Sequence, residues 1–523
     1  MLNKRISTIG HLLLVGAVIS GSAFLAQAEE SAEVSADLTV QVKADYTAHC
    51  AACHGVERLG AMGPALLPDN LKRLRKNKAT KVIAEGRAAT QMPAFKNVLS
   101  EDQRNALVDY IYTKPKVTPT WTEKDILATQ VVSYKKDELP SKPVFEADLM
   151  NLFLVVELGD HHVTLLNGDT FEPIHRFKSR FALHGGPKYS PDGRFVYFAS
   201  RDGWITKYDI YNLKVVAEVR AGINTRNLAI SSDGKSVIVG NYLPNNLVMF
   251  DAESLDLMKV YPVVNDEGIN SRVSAVYNAP PRNTYIAALK DLKEVWEIPY
   301  PTFGKNGGEP AEIRKIKVDD YLDDFFFDPD YKLLIGASRD AIGGQVVDLD
   351  LGKVVNQIPL PGMPHLGSGI TWDYQGPNDK APKQVLASPN LKEGKVSVID
   401  MQTWKVIKEI KTEGPGFFMR SHEKSPYAWV DVFFGPNKEA VHIIDKSTLE
   451  IVKTLRPSPG KTAAHVEFNK DGSKVILSIW DMDGEIIVYD ANTLEEEKRL
   501  PMVKPSGKYN VWNKTQYERG TSH

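Results

Sequence analysis

Five consecutive residues carry the most specific chemistry in this sequence: Cys50-Ala51-Ala52-Cys53-His54, inside the stretch YTAHCAACHG. In C-x-x-C-H the two thiols can add to the vinyl groups of a haem while the adjoining imidazole supplies a nitrogen to its iron. These are the only cysteines in the chain, so a zinc site would lack the further ligand pair it needs. The motif predicts covalent haem c on Cys50 and Cys53, with His54 on the iron. His49 lies too close to the attachment helix to reach back and is expected at the surface. Met92, in QMPAF, offers a thioether as the other axial ligand on a loop stiffened by Pro93, and Met62, in GAMGPAL, competes with it. Either methionine could instead only pack against the macrocycle.

Two later histidines also stand where a flat group could approach. His184 in FALHGGPKYSPDG and His365 in GMPHLGSGITW each precede small residues, mostly glycine, which admit a bulky planar ligand close to the backbone. Loop histidines often do no more than hydrogen-bond, so spacing alone leaves both roles open.

The elements that must position these residues fall into unlike regions. Residues 1–28 have a basic start at Lys4 and Arg5, an apolar stretch and the small-x-small site Ala26-Gln27-Ala28, the pattern of a signal peptide. A short uncleaved anchor is the alternative. No other stretch could span a bilayer, so no membrane span is expected in the mature form. Residues 36–114 predict an all-α cytochrome c domain, with Ser100 capping the helix EDQRNALVDYIYT. The proline-spaced TKPKVTPTW, 113–121, opens a linker and lead-in over 115–150.

From 151 to 523 the pattern changes to apolar runs that end in aspartate, turn, and run again, as in WITKYDIYNLKVVAEV and AVHIIDKSTLEIVKTL. Terminal aspartates at 209, 251, 348, 400, 445 and 490, with degenerate copies near Val163–Asn167 and Trp296–Ile298, give eight units at a period of about 42–52 residues. Asp-Gly turns in SPDGRF, SSDGKS and NKDGSK close hairpins between them. The reading is an all-β eight-bladed β-propeller, with seven blades as the rival count because the fourth unit is poorly marked.

Composition narrows the function. The chain of 523 residues is 42% hydrophobic and 25% charged, ordinary for globular domains. A net charge of −2 offers no basic footprint, so nucleic acid is not expected as a partner.

A leader, a cytochrome c module and an eight-bladed propeller in this order resemble the cytochrome cd1 family, over essentially the whole mature chain. The resemblance implies that the propeller seats haem d1. It places His184 as the proximal ligand of the d1 iron, His365 as a distal histidine, Arg201 (ASRDGWITKYD) and Arg226 (GINTRNLAIS) on the d1 carboxylates, and Tyr242 (NYLPNN) over the macrocycle. Two departures follow. The second distal histidine of the family's nitrite reductases is replaced by Asn390 in ASPNLKEG, and His465 (KTAAHVEF) and Tyr509 (PSGKYNVWN) stand where those reductases have glutamine and phenylalanine.

With LDDFFFD, GPGFFMRSHE and the terminal GTSH, these make the chain most like the family's dihydro-haem d1 dehydrogenase members. That likeness implies a periplasmic oxidoreductase that binds dihydro-haem d1 as substrate and oxidises a propionate to an acrylate. Electrons would leave through haem c to a periplasmic acceptor, and cytochrome cd1 nitrite reductase would receive the finished haem d1. His465 is then the expected base and Tyr509 the group that positions the carboxylate. A nitrite reductase on the same fold and a non-catalytic haem d1 carrier remain as alternatives, with Asn390 counting against the first and the C-x-x-C-H module against the second. Arg420 could line the funnel; His422 is expected at a surface turn, Asp323 and Asp324 as blade-turn acids, and His161, His162, His175 and His442 at surface positions.

Overall fold

The computed structural model describes residues 40–516 except 62, 73, 87–91, 136, 305–306, 310–311, 340–342 and 361. The expected signal peptide and Met62 lie outside the described residues. The chain divides into two units near residue 114, with Met92 grouped in the second.

The first unit is helical. Backbone over 40–49 leads into the single turn Ala51–His54, followed by helices Lys76–Glu85 and Glu101–Tyr112. Ser100 caps the last of these with a reciprocal capping box to Gln103, satisfying two backbone donors at once. Tyr46, Leu67, Leu71, Ile83, Leu107, Val108 and Ile111 are buried and form its core. His49 is half-buried, with its ring against Phe95.

The lead-in holds more structure than its composition suggested. Thr122 and Asp125 form a second capping box that starts the helix Glu123–Ala128. Val131–Val132 then pairs with the outer strand of a blade, at Val131↔Glu218. A six-residue helix and a two-residue strand carry too little periodicity to announce themselves in the sequence.

The rest of the second unit is a propeller of eight antiparallel sheets of four blade strands each, one of them extended by Val131–Val132, and a small extra ribbon. The first blade is closed by both ends of the domain: its innermost strand, Pro505–Asn510, pairs with Leu152–Glu157, outside which lie His162–Asn167 and Pro173–Lys178. Blades two to eight follow in sequence order, with innermost strands Lys188–Tyr189, Asn224–Ile230, Val273–Ala279, Leu322–Phe327, Ile370–Tyr374, Met419–Ser421 and Ala463–Phe468.

The recurring aspartates have one structural job. Each ends the third strand of its blade, and its carboxylate accepts the backbone N–H groups two and three residues on, as Asp251 does from Glu253 and Ser254, both at 2.9 Å. Asp209, Asp348, Asp400, Asp445 and Asp490 repeat this, and Asn167 substitutes an amide oxygen. The residue four positions after each is left-handed: Phe171, Leu213, Leu255, Gly352, Trp404, Leu449 and Leu494. A side chain in that conformation costs about 1–2 kcal/mol. Burial of Leu255, Trp404, Leu449, Leu494 and Phe171 under the blade offsets it, at about 1.5–3 kcal/mol for a large apolar side chain.

The fourth blade breaks this rule. Its third strand ends at Pro299, and the ribbon Thr302–Gly304 with Gly307–Glu309 is inserted before the outer strand Arg314–Lys317. That insertion is why its sequence signal was weak.

Candidate functional site

In the first unit, Cys50 stands at the start of the helical turn and Cys53 lies within it, both half-buried and unbridged. His54 is buried, with Nδ1 2.8 Å from the carbonyl of Pro64. A carbonyl only accepts, so Nδ1 carries the proton and Nε2 is left with its lone pair, the tautomer an iron ligand needs. A Cβ on Gly63 would sit 2.8 Å from the His54 ring, so the loop is glycine where it passes the imidazole. Two thiols and one fixed imidazole on a single turn suit a c-type haem. Met92 is half-buried and belongs to the second unit.

In the propeller, the innermost strands and the loops leading into them bring together residues from every blade. Tyr509, on the closing strand, touches the His184 loop: a Cβ on Gly186 would lie 2.9 Å from its ring. His184 Nδ1 donates to the Arg226 carbonyl at 2.7 Å, and Arg226 Nη1 lies 2.9 Å from His184 Nε2. Arg226 Nε donates to the carbonyl of Ser274, at 2.7 Å in the next blade. Arg201 braces the same region, its N–H donating to Ala182 and its carbonyl accepting from Thr225.

The opposite arc is built around His365. Its Nδ1 donates to the Phe417 carbonyl at 2.5 Å, and its Nε2 stands 3.7 Å from Asp324, which also accepts from the Tyr277 hydroxyl at 3.2 Å. Burial is the main force holding this imidazole below the usual range, opposed by Asp324. Asp323 pairs with Lys290 and Arg339, both at 2.6 Å. Asp323 and Asp324 are therefore not turn acids: they sit within the innermost strand Leu322–Phe327, where a bulge after Leu322 disturbs the alternation. Tyr242 lies beneath Arg272 and Lys290, 5.4 and 5.9 Å from its ring centre.

Phe417 and Phe418 link His365 to the last blade. Phe418 meets the His365 ring at 6.4 Å and the His465 ring at 4.7 Å, and His465 meets Tyr509 edge-on at 5.5 Å. His465 stands on a bulge, where pairing jumps from Ala464↔Ser478 to Val466↔Leu477 and its own φ is +56°. Bulges of this kind re-aim a side chain, here toward Tyr509. The imidazole is 3% exposed, and its Nδ1 finds no hydrogen-bond partner among the described residues.

The electrostatics of this chamber favour an acidic guest. Burial, then Lys514 and Arg420, bring Lys188 down to about 8, and burial likewise brings Lys514 to about 8. Arg420 is buried, and its Nε has no partner among the described residues. Burial, followed by Lys508, Arg420 and Lys514, holds His465 well below the ordinary imidazole range, so it is neutral near pH 7. Burial pushes the Tyr509 phenol up to about 12, keeping it protonated.

Two other expectations, the surface positions of His422 and His442, change. His422 is fully buried beside Phe468, with Nδ1 accepting the Lys424 N–H at 3.2 Å. His442 is buried too, bonded to the Glu413 N–H and to Thr454. Asn390 spends its side-chain oxygen on the N–H groups of Met363, Lys392 and Glu393, and thereby ties down the loop that carries His365. Sequence reasoning missed Lys188, Asp431, Lys508 and Lys514, and the short polar strand Pro505–Asn510 that carries Lys508 gave no signal of its burial.

Comparison with known proteins agrees with this geometry. Residues 147–514 match the family Cytochrome D1 heme domain, and residues 38–111 match Cytochrome C oxidase, cbb3-type, subunit III. The chain is 59% identical over 478 residues to the Dihydro-heme d1 dehydrogenase of Pseudomonas aeruginosa, covering 91% of this chain and 95% of that one. It is 26% identical over 564 residues to the Nitrite reductase of Stutzerimonas stutzeri, covering 97% and 99%. The solved structure of Dihydro-heme d1 dehydrogenase NirN in complex with DHE aligns with a TM-score of 0.86 at 58% identity, over 90% of this chain and 99% of that one. With a polar chamber drawn from all eight blades and these matches across most of its length, the chain belongs to the cytochrome D1 heme domain family, among the oxidoreductases of the dihydro-heme d1 dehydrogenase type.

Proposed function

We propose that this protein oxidises a propionate side chain of dihydro-haem d1 to an acrylate. The observation that carries the reading is the His465–Tyr509 pair, ring centres 5.5 Å apart, with an imidazole nitrogen that has no partner among the described residues, in a chamber of buried basic groups. Converting –CH2–CH2–COO⁻ to –CH=CH–COO⁻ releases two protons and two electrons. His465 takes a proton from carbon, which its neutral state permits. Tyr509, protonated, donates to the substrate carboxylate and fixes which side chain is presented. Arg201 and Arg226 hold further carboxylates, His184 and His365 ligate the substrate's iron, and Tyr242 packs on the macrocycle. The second proton leaves to water.

Haem c, held by Cys50, Cys53 and His54 with Met92 as the other axial ligand, would supply one-electron redox chemistry toward a periplasmic acceptor protein. Transfer of the product to cytochrome cd1 nitrite reductase is the partner step that completes the reading, and the leader pattern of residues 1–28 supports a periplasmic site. The test is an anaerobic incubation with dihydro-haem d1 and a one-electron oxidant, followed by mass analysis of the extracted tetrapyrrole. A loss of two mass units is expected, and an unchanged mass overturns the reading.

A further inference from the structure

Lys508 is fully buried, one residue before Tyr509 on the strand that closes the propeller. Alternation along that strand turns Tyr509 and Lys508 to opposite faces. The Lys508 amine reaches the last blade, where it donates to the backbone carbonyl of His465 and, at 2.7 Å, to the Ser478 hydroxyl. The other side of the same residue is held as well. The N–H of His465 donates to Asp431 Oδ2 at 3.3 Å, while Asp431 Oδ1 accepts from Phe417 and Phe418 at 2.7 and 3.1 Å. A carboxylate from the seventh blade and an amine from the first thus clamp a single left-handed residue from the eighth.

We infer that Lys508 is a positioning residue for the reaction: its amine holds the bulge that aims His465 by a hydrogen bond, while its own backbone is peptide-bonded to Tyr509, so one residue ties the two groups of the pair together. The inference rests on His465 being the base. A buried amine is a costly way to satisfy one carbonyl, because the charged form loses its hydration. Its location gives it a second effect that a neutral donor would lack. The charged and titratable groups facing His465 are Lys508 and Tyr509 from the closing strand, Arg420 and Asp431 from the seventh blade, and Lys514 from the helix Val511–Thr515. Three of these are basic groups; burial holds the Lys508 amine itself well below the usual lysine range, and in its charged form it is foremost among them in disfavouring an imidazolium. It therefore holds the base in place and, when charged, in its neutral form.

The test compares Lys508→Met, Lys508→Gln and His465→Ala in the full-length holoprotein, using single-turnover oxidation of saturating dihydro-haem d1 with a chemical one-electron oxidant. Lys508→Met should slow the step by at least about tenfold while the Kd for dihydro-haem d1 changes less than about threefold, a split that separates aiming from binding. It should add no further loss in a His465→Ala background, because the amine acts through that residue. Lys508→Gln keeps a donor for the His465 carbonyl and should recover part of the rate. In both variants the acid limb of the rate–pH profile should move to higher pH, since a cation opposing the imidazolium has gone. Should Lys508→Met fail to fold, Lys508→Gln and its pH profile decide. Full-speed turnover in Lys508→Met, additive loss in the double variant, or an unmoved acid limb in Lys508→Gln overturns the positioning role. Full-speed turnover by His465→Ala instead overturns the base assignment itself, a separate and recognisable failure.

Discussion

Arg226 places its Nη1 2.9 Å from Nε2 of His184, while the same imidazole donates from Nδ1 to the Arg226 carbonyl at 2.7 Å. The second contact fixes the tautomer, so the first puts an N–H donor where an iron would have to bind. On the proposed ligation of the substrate's iron by His184, seating the substrate would exchange this contact for one in which iron takes Nε2 and Arg226 turns to a carboxylate, with the Nδ1 bond preserved.

That exchange predicts a measurable cost for Arg226→Ala. A charge-assisted hydrogen bond contributes about 1.5–3 kcal/mol, so the Kd for dihydro-haem d1 should rise by roughly 10- to 150-fold in an optical titration. Tighter binding by the variant would mean that releasing His184 outweighs anything Arg226 gives to the substrate.

His465→Ala and Tyr509→Phe should separate chemistry from positioning. A placed general base contributes about 10²–10⁴-fold, so His465→Ala should bind dihydro-haem d1 normally and oxidise it slower by that order. Tyr509→Phe keeps the ring against Gly186 and loses only the hydroxyl, so its loss should be smaller. Single-turnover rates at saturating substrate check both, and slow oxidation accompanied by lost binding would reduce His465 to a pocket wall.

The fold was legible where one device repeats. The six aspartates marked real blades because each must accept two turn N–H groups, and the fourth blade was faint because Pro299 and an inserted ribbon stand where that device would be. The chamber was legible only in part. His184, His365, His465 and Tyr509 could be singled out as ligand or acid–base types near glycines or at departures from a family pattern. Lys508 and Asp431 could not, because their importance comes from reaching across to other blades, and no periodicity within a strand encodes what a neighbouring blade supplies. Asp324 was misplaced for a related reason: a bulge in its strand, not a turn, brings it to His365.

The pH dependence of the free enzyme should show the strained electrostatics of the chamber. Burial and three cations lower the His465 pKa, so the base is lost only as pH falls through a value below the usual imidazole range. The acid limb of kcat/KM should therefore lie well under 6.5. Bound carboxylates oppose those cations, so the acid limb of kcat, which reports the complex, should lie at higher pH than that of kcat/KM. Coincident limbs would show that substrate charge does not reach His465.

Met92→Ala should disturb the haem c sixth ligand and leave covalent attachment intact, because attachment depends on Cys50 and Cys53. The reduced spectrum and the haem c potential are the measurements. If both are unchanged in Met92→Ala and altered in Met62→Ala, the thioether ligand is Met62.

Asn390 bears on which chemistry the chamber runs. The amide cannot deliver protons, and its oxygen already accepts three backbone N–H groups, from Met363, Lys392 and Glu393. Pro364 bridges to the same residue, and the N–H of His365 donates to the Pro389 carbonyl, so the His365 loop is anchored on either side of position 390. A histidine placed here would exchange one oxygen with two lone pairs for a single nitrogen acceptor and would have to leave some of those N–H groups unmet, at about 1–3 kcal/mol for each one buried. Asn390→His should therefore lower the melting temperature and weaken the His365 contribution to the d1 iron signal in electron paramagnetic resonance, without creating nitrite reduction. A variant that kept its stability and reduced nitrite at a rate comparable with dihydro-haem d1 oxidation would show that this one residue, and not the His465–Tyr509 pair, sets the reaction.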